Sequence, residues 1–159
     1  MAGKFENLNE SINTVLVKIL ESQDLCKLIY YLDTDPTSGE DLSDTSILLF
    51  DSIFPYPFTP NVTDEEKVIL NVFFDGFEKN DNNFYFKNNL LIIDILCSSG
   101  VWKIDAGLRP FSIMHKLDLL FNDKKVIKSL GKMQYSNTKF IFINQKFNGY
   151  SMRFKFIDS

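Results

Sequence analysis

The sequence predicts an α+β fold. Its core element is an antiparallel sheet of mixed-length strands, a meander plus a C-terminal hairpin, with a helical segment ahead of it and one helix inserted before the last strands. Three observations carry this. Apolar residues recur at three- and four-residue steps over 8–32, alternate with period two from Lys67 onward, and return to a helical stripe over 110–121. At 159 residues the chain has the length of one domain, read here as 1–159, and can bury a core without disulfide staples.

In the first segment Leu8, Ile12, Val15, Leu16, Ile19 and Leu20 share one helical face. Ser22-Gln23-Asp24 then offers a new N-cap, and Leu25, Leu28, Ile29 and Leu32 continue the stripe, as one bent helix or two. Residues 33–46 form a polar, turn-rich acidic loop. Its acids lack the alternating spacing and central glycine of a calcium loop, so the loop reads as solvated. A short apolar run, Ile47 to Phe54, leads into Pro55-Tyr56-Pro57-Phe58-Thr59-Pro60. Three prolines in six positions forbid helix and central strand and leave an extended arm. Its rings ride on a preformed backbone that loses little entropy on docking.

From Lys67 the strands follow. Val68, Leu70, Val72 and Phe74 oppose Ile69, Asn71, Phe73 and Asp75. Asn80-Asp81-Asn82-Asn83 is a turn cluster, Phe84-Tyr85-Phe86 resumes extended structure, and Leu91, Ile93, Ile95 and Cys97 oppose Ile92, Asp94 and Leu96. Ser98-Ser99-Gly100 turns into a strand at Val101–Asp105. Gly107 ends that strand, Pro110 opens a helix with Ile113, Met114, Leu117, Leu120 and Phe121 inward, and Asn122 closes it. Strands near 132–135 and 139–145 precede Asn148-Gly149, read as the hairpin turn into a last strand that turns Tyr150, Met152, Phe154 and Phe156 one way.

Composition excludes several chemistries. Cys26 and Cys97 cannot make a disulfide framework and read as buried thiols in a reducing compartment. His115 is the only imidazole, so no His-pair metal site exists, and a triad would need a residue that falls on an outer helical face. The seven glycines form no phosphate loop. No stretch approaches the ~20 apolar residues of a membrane helix, and no secretory signal is visible. A metal nuclease would draw on Asp75, Glu78, Asp94 and Asp105 with Lys79 and Lys103, but alternating strands produce such acids routinely. The net charge of −4 lacks the basic footprint of a nucleic-acid binder.

The charge is uneven. Residues 1–66 hold thirteen acids against three lysines, net −10, and the remainder is net +6. With sixteen Phe and sheet faces apolar on both sides, one domain has too few helices to cover both. Self-association into a ring is the economical way to bury the rest.

The element order and several segments resemble the tail-terminator and tail-completion proteins of long-tailed bacteriophages and their relatives at the head–tail joint. Those segments are Gln23-Asp24-Leu25-Cys26-Lys27-Leu28-Ile29-Tyr30-Tyr31, the Pro55–Pro60 arm leading into Asn71-Val72-Phe73-Phe74-Asp75, Gly107-Leu108-Arg109-Pro110 with Lys116–Asn122, and the closing Gly149–Phe156 strand. The resemblance implies a homohexameric ring without enzymatic activity, cofactor or metal, found in the virion tail or neck and in host cytoplasm during assembly. Its partners are its own copies, the tail tube protein and a head-completion or neck protein, with genomic DNA passing unbound through its channel. The assembly surfaces are then Pro55, Tyr56, Pro57, Phe58 and Pro60 and the outward sheet face. The channel-lining acids are Asp33, Asp35, Glu40, Asp41, Asp44, Glu65 and Glu66, whose charge repels phosphate. A head-closure or adaptor role in the same neck, or an unrelated cytoplasmic binding protein, stays open beside it.

Overall fold

A computed structural model describes residues 5–79, 86–87 and 89–157, with the backbone alone at 78–79 and 86–87. The Asn80–Asn83 turn and the Phe84-Tyr85 extension lie outside the described residues. The helical segment is two helices, α1 (Leu8–Leu20) and α2 (Gln23–Tyr30). Ser22 divides them: its backbone is extended and its hydroxyl accepts the Leu25 N–H, which satisfies one of the free donors of the new helix. A third helix, α3 (Arg109–Phe121), carries Pro110 in its first turn and ends at Asn122, whose side chain also accepts the Tyr135 N–H.

Among the described residues the strands are, in chain order, β1 (Ile53–Phe54), β2 (Val68–Asp75), β3 (Glu78–Lys79), β4 (Phe86–Lys87), β5 (Leu90–Ser98), β6 (Lys103–Ile104), β7 (Gly107–Leu108), β8 (Lys132–Phe142) and β9 (Phe147–Ile157). Five of them build the main sheet in the order β1-β2-β5-β9-β8, antiparallel throughout except for the β1–β2 pair. The sheet is therefore only partly a meander. The last strand inserts between β5 and β8, so β8 becomes an outer edge. The Val101–Asp105 segment is not a strand of this sheet either. It forms a 3₁₀ turn and the small β6–β7 hairpin, folded back by the bond from the Trp102 indole to the Cys97 carbonyl.

The alternation sorts residues between the two faces as expected. Under the helices lie Val68, Leu70 and Val72 of β2, Leu91, Ile93, Ile95 and Cys97 of β5, and Met152 and Phe154 of β9, all buried with Val15, Ile19, Leu25, Leu28, Ile113 and Leu117. The sequence predicts that the opposite face is covered only in part and that another subunit buries the rest, but Ile69, Ile92 and Leu96 are 1%, 4% and 1% exposed within the single chain. The proline arm supplies part of that cover. Phe58 stacks on Phe54 with ring centroids 4.2 Å apart, over Ile69, Leu96 and Phe147. The C-terminal half of the arm is pinned by two bonds: the Asn71 amide donates to the Phe58 carbonyl (2.8 Å) and the Asn144 amide to the Pro60 carbonyl (3.0 Å).

Asn148-Gly149 does not turn the final hairpin. The turn lies at 143–146, where the Asn144 side chain accepts the N–H groups of Lys146 and Phe147. Gly149 sits inside β9 opposite Leu96, and a Cβ there would lie 1.8 Å from the Ile95 carbonyl oxygen. Close backbone approach, not turn conformation, calls for this glycine. The two strands expected near 132–135 and 139–145 are one continuous β8, bulged between Tyr135 and Asn137.

Candidate assembly interface

The arm residues divide. Pro60 is buried and Pro55 and Phe58 are half-buried on their own sheet, whereas Tyr56 and Pro57 face solvent. The Tyr56 ring meets Phe54 at 5.6 Å and the exposed Phe50 at 6.4 Å. Phe50 has φ +61°, a left-handed conformation that a bulky residue adopts only when its surroundings enforce it. Here its N–H donates to the Ile53 carbonyl, and Leu49 bridges Ile53, so the chain's own turn closes the β1 edge.

The acidic loop is held along α2. The Gln23 amide makes two bonds with the Leu42 backbone, each 2.9 Å. Asp41 pairs with Lys27 at 2.7 Å, and the Tyr31 hydroxyl donates to the Glu40 carbonyl. Leu42 and Pro36 are buried, so the loop is more than a solvated tether. Asp33, Asp35, Glu40, Asp41 and Asp44 all expose their side chains beside α2. The Asp44 carboxylate accepts both the backbone N–H and the hydroxyl of Ser46, which holds its pKa below the ordinary carboxylate value. Glu65 and Glu66 are exposed elsewhere, at the start of β2, where Glu66 accepts the Gly100 N–H. No described hydrogen bond links the two groups.

Of the acids named for metal chemistry, Asp75, Asp94 and Asp105 are not brought together, and the Glu78 side chain lies outside what the structure describes. Asp75 ends β2 opposite Leu90, Asp94 lies mid-sheet opposite Asn71, and Asp105 turns the β6–β7 hairpin. Among the described residues, no cluster of three or more His, Cys, Asp or Glu is placed to hold a metal ion. Asp94 belongs instead to a polar row on the face away from the helices, where Asn71, Asp94, Ser151 and Lys139 stand opposite one another across four strands. Burial pushes the Asp94 pKa up, against the Ser151 hydroxyl and the Arg153 charge that pull it down. One oxygen each of Asn71 and Asp94 and one Arg153 nitrogen are buried without a partner.

The two thiols are buried among apolar side chains, which pushes Cys26 up to about 11 and Cys97 up to about 12. His115 is exposed on α3, as its helical position implies. It borders an open cleft of about 610 Å³ lined also by Leu108, Phe111, Thr34 and Asp35.

Sequence reasoning missed two features. The first is Arg109, fully buried at the start of α3. Its guanidinium donates to the carbonyls of Val101 (2.6 Å), Leu28 (2.7 Å), Tyr31 (2.8 Å) and Asp33 (2.7 Å). It thereby satisfies the open C-terminal end of α2 and ties it to α3. Only the absence of a nearby paired acid distinguishes such an arginine, and that is invisible in a sequence. The second is the β8 edge. Phe140 and Phe142 are 57% and 63% exposed on the helix side of the sheet, beyond the reach of α3. Phe140 packs edge-on against Tyr150, which also meets Phe111. The alternation Phe140-Ile141-Phe142-Ile143 was legible; that the strand carrying it would be an edge was not.

A family model described as YomW matches residues 22–156. The chain belongs to the YomW family. The match begins at the Ser22 cap and ends one residue before the end of β9, so it takes in α2, α3 and the main sheet up to that residue and leaves out α1. The YomW family is derived from phage genomes. No curated protein matches the chain. Among the described residues no helix is long and apolar enough to cross a membrane.

Proposed function

We propose that this YomW-family chain is a structural virion protein, forming a ring at the head-proximal end of a phage tail that terminates the tail tube and joins it to the neck. One observation carries the reading: β8 is an eleven-residue outer strand with Phe140 and Phe142 exposed beside it. Asn122, Asp123 and Lys124 occupy the outer side of β8 at Met133 and Tyr135. Beyond the bulge the edge carries the exposed Phe140 and Phe142, and exposed aromatics on an outer strand mark an association surface. The phage derivation of the family supplies the setting. The exposed acids along α2 and at Glu65 and Glu66 give the ring a negative wall past which duplex DNA slides without adhering.

Light scattering on the purified chain, with negative-stain imaging alone and with tail tubes, tests this. Rings in solution, or rings that form on tube ends and stop further growth, are the expected result. Rings that bind a portal-side connector and ignore tube ends would move the protein to the head-closure position. A chain that stays monomeric at high concentration and leaves tube ends uncapped would overturn the proposal.

A further inference from the structure

The two outer edges of the main sheet differ in charge and are both aromatic. At the β1 edge the exposed Phe50 and Tyr56 form one ring cluster, with the acidic Asp44 and Asp51 nearby in the chain and both exposed. Asp51 shares its charge with Lys67 at 2.9 Å, while the neighbouring Ile47 is 52% exposed. At the β8 edge the exposed Phe140 and Phe142 lie on one face of a strand whose other face carries Lys139 and, at its far end, Lys132, with no acid on the strand. Neither lysine is in an ion pair among the described residues. The strand order places these edges four steps apart, about 19 Å at ~4.8 Å per strand. They therefore cannot meet within one chain.

We propose that the acidic Phe50–Tyr56 knob of one copy seats against the lysine-bearing Phe140–Phe142 edge of the next copy, in a head-to-tail contact. This rests on the ring reading above and names the two surfaces that make the ring. Four features favour a second copy as the occupant. The charges left over are opposite, with Asp44 exposed near the first surface in the chain and Lys139 exposed on the second. Both surfaces offer exposed rings of the kind that anchor interfaces. They lie on opposite edges of one rigid sheet, which is the geometry of a heterologous contact, and such a contact closes into a ring when its rotation divides a full turn. The left-handed φ of Phe50 is backbone strain spent on holding an aromatic ring out in water, and strain of that kind collects where a side chain is needed for recognition. Pairing of β8 with its own copy would bury the aromatics but leave the Phe50–Tyr56 knob without a role.

The experiment mixes two variants of the full chain, Phe50→Asp and Phe140→Asp, under the condition in which the wild type assembles. Both sites are exposed, so circular dichroism and melting should match the wild type. Each variant alone should need at least about tenfold more protein to assemble, since a charge replaces an aromatic anchor. The mixture should give 1:1 heterodimers that grow no further, because each partner keeps one working surface. Tyr56→Asp with Phe142→Asp repeats the test should either first variant fold poorly. Heterodimers support the contact. If Phe50→Asp assembles like the wild type while Phe140→Asp does not, β8 pairs with itself and the proposal falls. If both variants assemble normally, the ring uses other surfaces; the ring reading then survives and this contact does not. A wild type that never assembles removes both.

Discussion

Beneath α1, α2 and α3 the sheet presents aliphatic chains, aromatic rings and one thiol, running from Val68 and Leu70 through Ile93, Ile95 and Cys97 to Met152 and Phe154. On the side away from them, the residues at the same levels include Asn71, Asp94, Ser151 and Arg153. Both faces are largely removed from water, yet they are held by different physics. The helix side needs matched volume, and its fully buried cation, Arg109, directs its bonds to carbonyls at the joint between helices. The far side must satisfy polar groups one by one, and the proline arm covers it only around Phe54, Ile69, Leu96 and Phe147. Unpartnered atoms of Asn71, Asp94 and Arg153 show that it does so incompletely.

Three substitutions would break or sharpen that contrast. The largest effect falls on the helix side. Arg109→Ala leaves the carbonyls of Leu28, Tyr31, Asp33 and Val101 without their donor, and a loss of about 3–5 kcal/mol is expected in chemical denaturation. A loss below about 1 kcal/mol would mean that the carbonyls find water instead. On the far side, Phe58→Ala removes a stacked, half-buried ring and should cost about 2 kcal/mol while raising protease sensitivity near residue 60. If the arm protected nothing, the cleavage rate would not change.

The smallest effect is at Asp94. Its raised pKa means the folded chain holds that proton more tightly than the unfolded chain does. Stability from this group therefore grows as pH falls toward the ordinary carboxylate range near ~4 and is lost as pH rises through the raised value. Asp94→Asn should be the more stable chain at neutral pH, by about 1 kcal/mol or less, and the gap should close in acid. Melting temperatures measured from pH 4 to 8 would expose the opposite trend, in which the wild type gains on the variant as pH rises; that would mean Arg153 and Ser151 outweigh desolvation.

Much of the fold was legible because side-chain direction follows backbone period. The division of Val68, Leu70 and Val72 from Ile69, Asn71 and Phe73, and of Leu91, Ile93 and Ile95 from Ile92, Asp94 and Leu96, needed nothing beyond a count of two. The Ser22 and Asn122 caps were equally local. Asn148-Gly149 misled because a turn dipeptide and a close-packed strand glycine look alike in one dimension. The candidate site was harder. Pro55–Pro60 and the acids were visible as composition, but composition does not say that Phe58 would turn onto its own sheet while Tyr56 stays in water.

What the amino-acid order determined alone was which residues share a face, where helices begin and end, and that one end of the chain is acidic and the other basic. These follow from periodicity, capping and charge, all of which act within a few residues. Tertiary structure decided which strands became neighbours. Once β9 settled between β5 and β8, Phe140 and Phe142 were left on an open edge, Gly149 came against the Ile95 carbonyl, and Phe50 was fixed on the edge opposite. Strand order depends on contacts between segments dozens of residues apart, and no local pattern records those.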